Sequence, residues 1–225
     1  IAIECSKMGA SLVITGRNQN KLLETYKSLA NTSEHEHQFA DLSNENELVD
    51  LVCKLPLFDG VVFCAGIVKD ILTKFSDKAD VENIFSINTF APIYITQQLL
   101  HQKKIKNYGS IVFISSVSGT SCGYIGGGIY GSSKAALLGF IKGLALEVAP
   151  RQIRVNSISP GMIETDLLKS KSLTLEQITK DKENYPLKRY GSPEDVAYAT
   201  IFLLADASGW ITGTNLVVDG GYTIK

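Results

Sequence analysis

"GSIVFISSVSGTSCGYIGGGIYGSSKAALLGFIKGLALEVAP", residues 109 to 150, holds a strand, a glycine-rich loop and a helix in one run. Gly109 to Ser116 is apolar without alternation, the pattern of a strand buried on both faces. The loop "GTSCGYIGGG" follows, and the helix it opens runs until Pro150 stops it. Near its start Tyr130 precedes Lys134 by four residues, with only Gly131, Ser132 and Ser133 between. At i and i+4 the two side chains share one helix face. A lysine charge there favours phenolate and lowers the tyrosine pKa from its reference of about 10. A tyrosine so tuned gives or takes a proton near neutral pH. Y-x-x-x-K alone is weak, because a surface Tyr and Lys pair at this spacing arises often by chance.

Working outward, strand and helix alternate along the chain. Ser11 to Thr15 and "HEHQFADLS", ending at Asp41, read as strands with a helix between them spaced on Leu22, Leu23, Tyr26 and Leu29. Ser43 to Cys53 reads as a helix with Ser43 as N-cap and Leu48, Val49 and Val52 on its inner face. Gly60 to Gly66 is a strand entering a small-residue turn, and a long helix spans Asp80 to His101. Ile153 to Gly161 is the next strand. "SPEDVAYATIFLLAD" is a helix with Ser192 as cap and Pro193 at its first position, and "NLVVDGG" is the last strand. Continuous apolar strands between helices imply an α/β fold, a doubly wound parallel sheet in a single domain over residues 1–225.

In such sheets ligands bind beyond the carboxyl ends of the strands. The residues found there are Gly16-Arg17, Asp41, Cys64-Ala65-Gly66, Ser115-Ser116 and Ser159-Pro160-Gly161. Any one of these is an ordinary turn; five in register form a cofactor cleft, where glycines admit a flat ligand close to the backbone. Ser116 lies fourteen residues before Tyr130 and can hold a carbonyl oxygen beside it. Asn88, in "FSINTFAP", sits in an apolar stretch and must find hydrogen-bond partners if buried; by itself a core amide tied to backbone is the better reading. Together Asn88, Ser116, Tyr130 and Lys134 make a proton-relay set with no metal.

Composition narrows the function classes. The chain has 225 residues, 44% of them hydrophobic, with charge 22 − 23 = −1. That balance gives no case for nucleic acid or an anionic membrane, and no apolar run reaches the roughly 20 residues that span a bilayer. Cys5, Cys53, Cys64 and Cys122 are scattered, which implies reduced thiols and a cytoplasmic protein. His35 and His37 in "HEH" are read as flanking a strand and facing solvent rather than ligating a metal.

Several of these motifs in order resemble the short-chain dehydrogenase/reductase family of the Rossmann type: "GRNQNKL", "ADLSN", "CAG", "FSINTFAP", "IVFISSVSG", "YGSSKAALLGF", "IRVNSISPGMIETDL", "GSPEDVAYATIFLLAD" and "ITGTNLVVDGG". The resemblance covers essentially the whole chain, and the 3-oxoacyl-[acyl-carrier-protein] reductases are the closest-looking subgroup. It implies that Tyr130 is the catalytic acid/base, that Lys134 lowers its pKa and binds the nicotinamide ribose, that Ser116 orients the substrate carbonyl and that Asn88 anchors a relay water. It places Asp41 and Leu42 at the adenine, and Cys64, Ala65 and Gly66 along the cofactor. Pro160 and Gly161 line the nicotinamide, with Ile163 and Thr165 near its carboxamide. Three departures stand out. The family's first strand and T-G-x-x-x-G-x-G loop are absent, so the chain reads as starting inside the helix that this loop opens, and poor cofactor binding is expected of it. The usual N-A-G turn is Cys64-Ala65-Gly66. The spacing from Ser116 to Tyr130 is one residue long, which leaves Ser118 a lesser candidate.

After the strand Ser11 to Thr15 an acid would favour NAD by binding the ribose 2′-hydroxyl. Arg17 stands there instead, and its planar fork suits a 2′-phosphate, so NADP(H) is expected over NAD(H). Residues 162–190 are read as an irregular lid, with Leu167, Leu168, Leu173, Leu175 and Ile178 suited to an apolar substrate; a plain surface excursion reads equally well. Gly139 and Gly143 allow close packing of the Tyr130 helix, and the resemblance implies a homotetramer built on such helices. The expected activity is NADP(H)-dependent reduction of a ketone, 3-oxoacyl thioesters first, with acyl-carrier-protein-linked substrates. The alternatives are a sugar, steroid or polyol dehydrogenase on the same scaffold, and a vestigial cofactor-binding or scaffold protein.

Overall fold

The computed structural model describes residues 1–165 and 174–225. In chain order the main elements are α1 (Ala2–Lys7), β1 (Val13–Gly16), α2 (Gln19–Lys27), β2 (Glu36–Phe39), α3 (Glu45–Lys54), β3 (Phe58–Phe63), α4 (Lys78–Phe85), α5 (Ala91–His101), β4 (Ile105–Ile114), α6 (Gly128–Val148), β5 (Arg154–Pro160), α7 (Leu175–Lys182), α8 (Pro193–Leu204) and β6 (Asn215–Val218). Every strand pairing is parallel. The α/β class expected from the alternation is the class observed. The sheet, however, comes in two pieces, β1-β2 and β3-β4-β5-β6, and no described strand joins them.

The two-residue period of β4 sorts its side chains onto two helix layers. Ile111 and Phe113 pack with Leu137, Ile141 and Leu144 of α6, Ile95 and Leu99 of α5, and Leu48 and Val52 of α3. Val112, between them, faces the other side with Ile158 of β5 and Val196 and Leu203 of α8. Each such side chain contributes about 1.5–3 kcal/mol on burial. Their positions explain why the strands read as continuous apolar runs: both faces are covered.

Helix starts follow side-chain chemistry. Ser192 and Asp195 form a capping box at α8 with Pro193 inside it, as the sequence implies. Asp77 and Asp80 do the same at α4. At α3 the cap is Asn44 rather than Ser43, because Asp41 Oδ1 already accepts from both the Ser43 amide (2.9 Å) and its hydroxyl (2.7 Å). The inner face of α3 is Leu48, Leu51 and Val52; Val49 is 39% exposed, turned away by the helical period. The long helix expected over Asp80 to His101 is α4 and α5, joined by a π-helical turn at Ser86–Phe90.

Two expectations change. His35 does not face solvent: Leu12 N donates to its Nδ1 at 3.2 Å, and its Nε2 lies 2.6 Å from Ala30 O. It joins β1 to the end of α2, whereas His37 is exposed and packs on Tyr26 at 4.7 Å. Residues 174–190 are also more ordered than their polar composition implies. Thr174 and Gln177 form a capping box at α7. Tyr185 and Tyr190 beyond it are 5% and 2% exposed and pack edge to face. Leu167, Leu168 and Leu173 lie outside the described residues, as does the Leu175 side chain. Among the described residues no helix is long and apolar enough to cross a membrane.

Candidate active site

The carboxyl ends of β3, β4 and β5 open onto a cavity of about 510 Å³. Ser116, Tyr130 and Lys134 all line it, with Cys64, Gly66, Pro160, Gly161, Ile163 and Thr165. Strands β4 and β5 are locked in register at this edge: Ser115 N donates to Ile158 O (2.7 Å), and Val117 N donates to Pro160 O (3.1 Å). Ser116 is thereby held where the strand ends, and its Oγ accepts from Ser118 N at 3.1 Å. The Ser116 hydroxyl also hydrogen-bonds the Tyr130 phenol. Ser118, the lesser candidate, thus serves Ser116 through its backbone.

Glycines let the β4 loop settle on the first turn of α6. Gly119 has φ +95°, and a Cβ there would stand 2.1 Å from Gly131 O. Ser115 Oγ donates to Lys134 O (3.0 Å), a second tie between β4 and α6. Lys134 is 4% exposed and its Nζ donates to Ile114 O at 2.8 Å. Burial brings its pKa down to about 8, with Cys64 pulling the other way. The Tyr130 phenol is pushed above its ordinary value by burial first; the neighbouring Ser116 hydroxyl opposes this and the Asp70 carboxylate adds to it. The expectation that Lys134 lowers the tyrosine pKa is therefore corrected for this arrangement. The cause is that burial dominates.

Asn88 is fully buried, and the protein itself takes up its amide. Its Oδ1 accepts from Ile67 N (2.8 Å), and its Nδ2 donates to Ile67 O (2.9 Å) and to Ser133 Oγ (3.0 Å). Its visible work is to pin the turn after β3 against α6, which is the core-amide reading. Gly66 fits between the two: a Cβ there would lie 3.1 Å from Lys134 Nζ and 3.3 Å from Asn88 Oδ1. A Cβ on Gly161 would likewise approach Asp219 Cα at 3.0 Å. At both turns the neighbouring protein atoms leave little room for a side chain.

The family model described as enoyl-(acyl carrier protein) reductase matches residues 1–223. A 3-oxoacyl-[acyl-carrier-protein] reductase of Rickettsia felis is 36% identical over 217 residues, 96% of this chain and 87% of its own. The chain belongs to the short-chain dehydrogenase/reductase family. It is an oxidoreductase of the NAD(P)-dependent kind, acting between CH–OH groups and carbonyls. Among solved structures, a glucose/ribitol dehydrogenase of this family from Brucella melitensis superimposes with TM-score 0.90 at 29% identity, covering 98% of this chain and 90% of that one. NADP-bound ElxO superimposes with TM-score 0.86 at 28% identity, covering 100% and 93%.

Set in this family, the expected site residues divide in two. Ser116, Tyr130 and Lys134 share one cavity with Cys64, Gly66, Pro160, Gly161, Ile163 and Thr165, whereas the fully buried Asn88 is not in its lining. Arg17, Asp41 and Leu42 lie past β1 and β2, outside its lining, and Ala65 is exposed. Arg17 is exposed and its charge reaches Asp41, whose carboxyl is held below its usual range by the Ser43 amide and hydroxyl first and by Arg17 last. The Cys64 residue reaches solvent, yet burial of its thiol raises the pKa. Sequence reading misses Asp70, Tyr124, Tyr185 and Tyr222. The last three line the cavity, and the Tyr185 and Tyr222 rings stack at 4.8 Å. Only Tyr124 carries a local signal, an aromatic inside a run of glycines; the others arrive by tertiary folding.

Proposed function

We propose that this chain reduces 3-oxoacyl thioesters with NADPH. The observation that carries the reading is the convergence of Ser116, Tyr130 and Lys134 on one cavity whose walls include Ile67, Val68, Ile114, Val117 and Ile163. These apolar side chains suit an acyl chain better than a sugar, although a sugar dehydrogenase is among the fold neighbours. The Rickettsia relative, a 3-oxoacyl-[acyl-carrier-protein] reductase, supports the same substrate class.

Gly66 and Gly161 would seat the nicotinamide, Lys134 would meet its ribose, and Arg17 would pair with the 2′-phosphate. The bound cofactor supplies the hydride that reaches the carbonyl carbon. Ser116 donates its hydroxyl proton in a hydrogen bond to the carbonyl oxygen and fixes it beside Tyr130. Tyr130 then gives its phenolic proton to that oxygen as the C=O π pair moves there, and a secondary alcohol leaves. The raised phenol pKa keeps the acid protonated at pH 7. Ketone reduction should therefore stay level through neutral pH and fall only as pH rises through the phenol pKa, while alcohol oxidation should gain there. Paired pH–rate profiles check this.

On the face of α6 at Gly139 and Gly143, a Cβ added to either glycine would meet nothing within 4 Å, and Leu146 beyond them is 78% exposed. This open apolar face supports a homo-oligomer packed on α6.

The deciding experiment is NADPH oxidation with an acetoacetyl thioester, followed by nicotinamide absorbance, with NADH as comparison. Turnover preferring NADPH supports substrate class and cofactor together. NADPH binding without turnover on any ketone tried would overturn the thioester reading.

A further inference from the structure

Two loops meet beside the reacting end of the cavity. One follows β3 and carries Asp70; the other follows β4 and carries Tyr124. The Tyr124 hydroxyl donates to Asp70 Oδ1 at 2.8 Å, across 54 positions of sequence. Beside it, Ile71 N donates to Gly126 O at 3.0 Å, with Gly126 at φ +87°. A Cβ on Gly127 would stand 2.4 Å from the Tyr124 ring, so the ring lies directly against the N-cap of α6, three residues before Tyr130. Tyr124 and Tyr130 line the same cavity.

We propose that Asp70 and Tyr124 are a positioning pair for Tyr130: their hydrogen bond clamps the β4 loop to the β3 loop and keeps one negative charge near the reacting phenol. This rests on the reading of Tyr130 as the proton donor. The clamp sets where α6 begins, and hence where the phenol stands. The charge opposes phenolate, so the donor stays loaded for ketone reduction. Asp70 acts on Tyr130 in the same direction as burial. The Tyr124 phenol is itself raised, by burial first and by its bond to Asp70, so it remains a donor to the carboxylate across the working pH range. Among the described residues, the other titratable groups lining the cavity with Tyr130 are Lys134 on its own helix, Cys64 after β3, Cys122 after β4, and Asp181, Tyr185 and Tyr222 across the cavity.

An ultraviolet titration of phenolate tests the pair without a substrate. The difference between the protein and its Tyr130→Phe variant isolates Tyr130. Repeating the difference in an Asp70→Asn background should place the Tyr130 transition lower by about one pH unit. Asp70→Glu should restore most of it, which a merely structural role would not. Tyr124→Phe keeps the charge but loosens the clamp. It should leave the transition within a few tenths of a unit and lower kcat with an acetoacetyl thioester roughly threefold or more, with a smaller change in KM. Thermal unfolding of each variant confirms that it is folded. An unmoved Tyr130 transition in Asp70→Asn, with unchanged kinetics in Tyr124→Phe, overturns the pair while the proton-donor reading stands. Normal turnover by Tyr130→Phe sinks that reading and the pair with it.

Discussion

The two ends of the candidate site are built differently. At the reacting end β5 is buried at all seven positions, and Ile111, Val112 and Phe113 of β4 have no exposed surface. The hydrogen bonds that place Lys134, Ser133 and Asn88 are buried or half-buried. At the other end β1 and β2 are half-exposed pairs of four-residue strands, and Arg17, Asp41 and Ser43 meet in or near solvent. Strand β3 sits between these extremes: Val61, Val62 and Phe63 are half-buried although their β4 partners are fully buried. Buried polar contacts are costly to break and exposed ones contribute little each. Substitutions should therefore act steeply at the reacting end and mildly at the other.

The steepest test is Tyr130→Phe. The ring still fills its place, so folding and NADPH binding should stay nearly unchanged, while kcat falls by about 10²–10⁴-fold. A stopped assay beside a binding titration separates the two. Gly119→Ala attacks the same end through the backbone. The residue has φ +95° and a Cβ would meet Gly131 O at 2.1 Å, so loop and helix must part. A loss of about 3 kcal/mol is expected, read as a melting midpoint roughly 6–12 °C lower. A midpoint within a degree of the parent's would mean that the glycine loop is not held on α6 as described.

The difference between the ends also explains what is legible in the sequence. Strand β4 is visible there because burial on both faces leaves an uninterrupted apolar run around Ile111, Val112 and Phe113, and the Tyr130–Lys134 spacing is a property of one helix. Ser43 and Asn44 look alike as caps; the choice turns on Asp41 claiming the first. His35 reads as a solvent residue because nothing local reveals its partners Leu12 and Ala30. The direction of the Tyr130 shift escapes the sequence for the same kind of reason: spacing gives the neighbour, and only the fold gives the burial and Asp70.

Arg17→Asp probes the exposed end through function. Under the NADPH reading it removes the cation from the 2′-phosphate and puts an anion beside it. The KM for NADPH should rise roughly 10- to 100-fold, with the KM for NADH little changed. Arg17 also stabilises the Asp41 carboxylate from nearby, so the variant should raise the Asp41 pKa slightly. The discriminating number is the NADPH to NADH ratio of kcat/KM; if it does not change, Arg17 does not choose the cofactor.

The mildest effect should come from Asn44→Ala. Asn44 Oδ1 accepts from Asn46 N (3.1 Å) and Glu47 N (3.4 Å), and its Nδ2 donates to Glu47 Oε1 (3.0 Å). Glu47 in turn takes the Asp41 amide at 2.8 Å. Loss of the cap should cost about 1 kcal/mol, a midpoint shift of roughly 2–4 °C, because every one of these contacts is near solvent and water replaces part of each. The turn carrying Asp41 loses one brace but keeps its bonds to Ser43, so cofactor affinity should fall by less than the Arg17 change produces. A loss as large as that of Gly119→Ala would mean that the β1-β2 end is held as tightly as the β4-β5 end, and the contrast between the two would have to be abandoned.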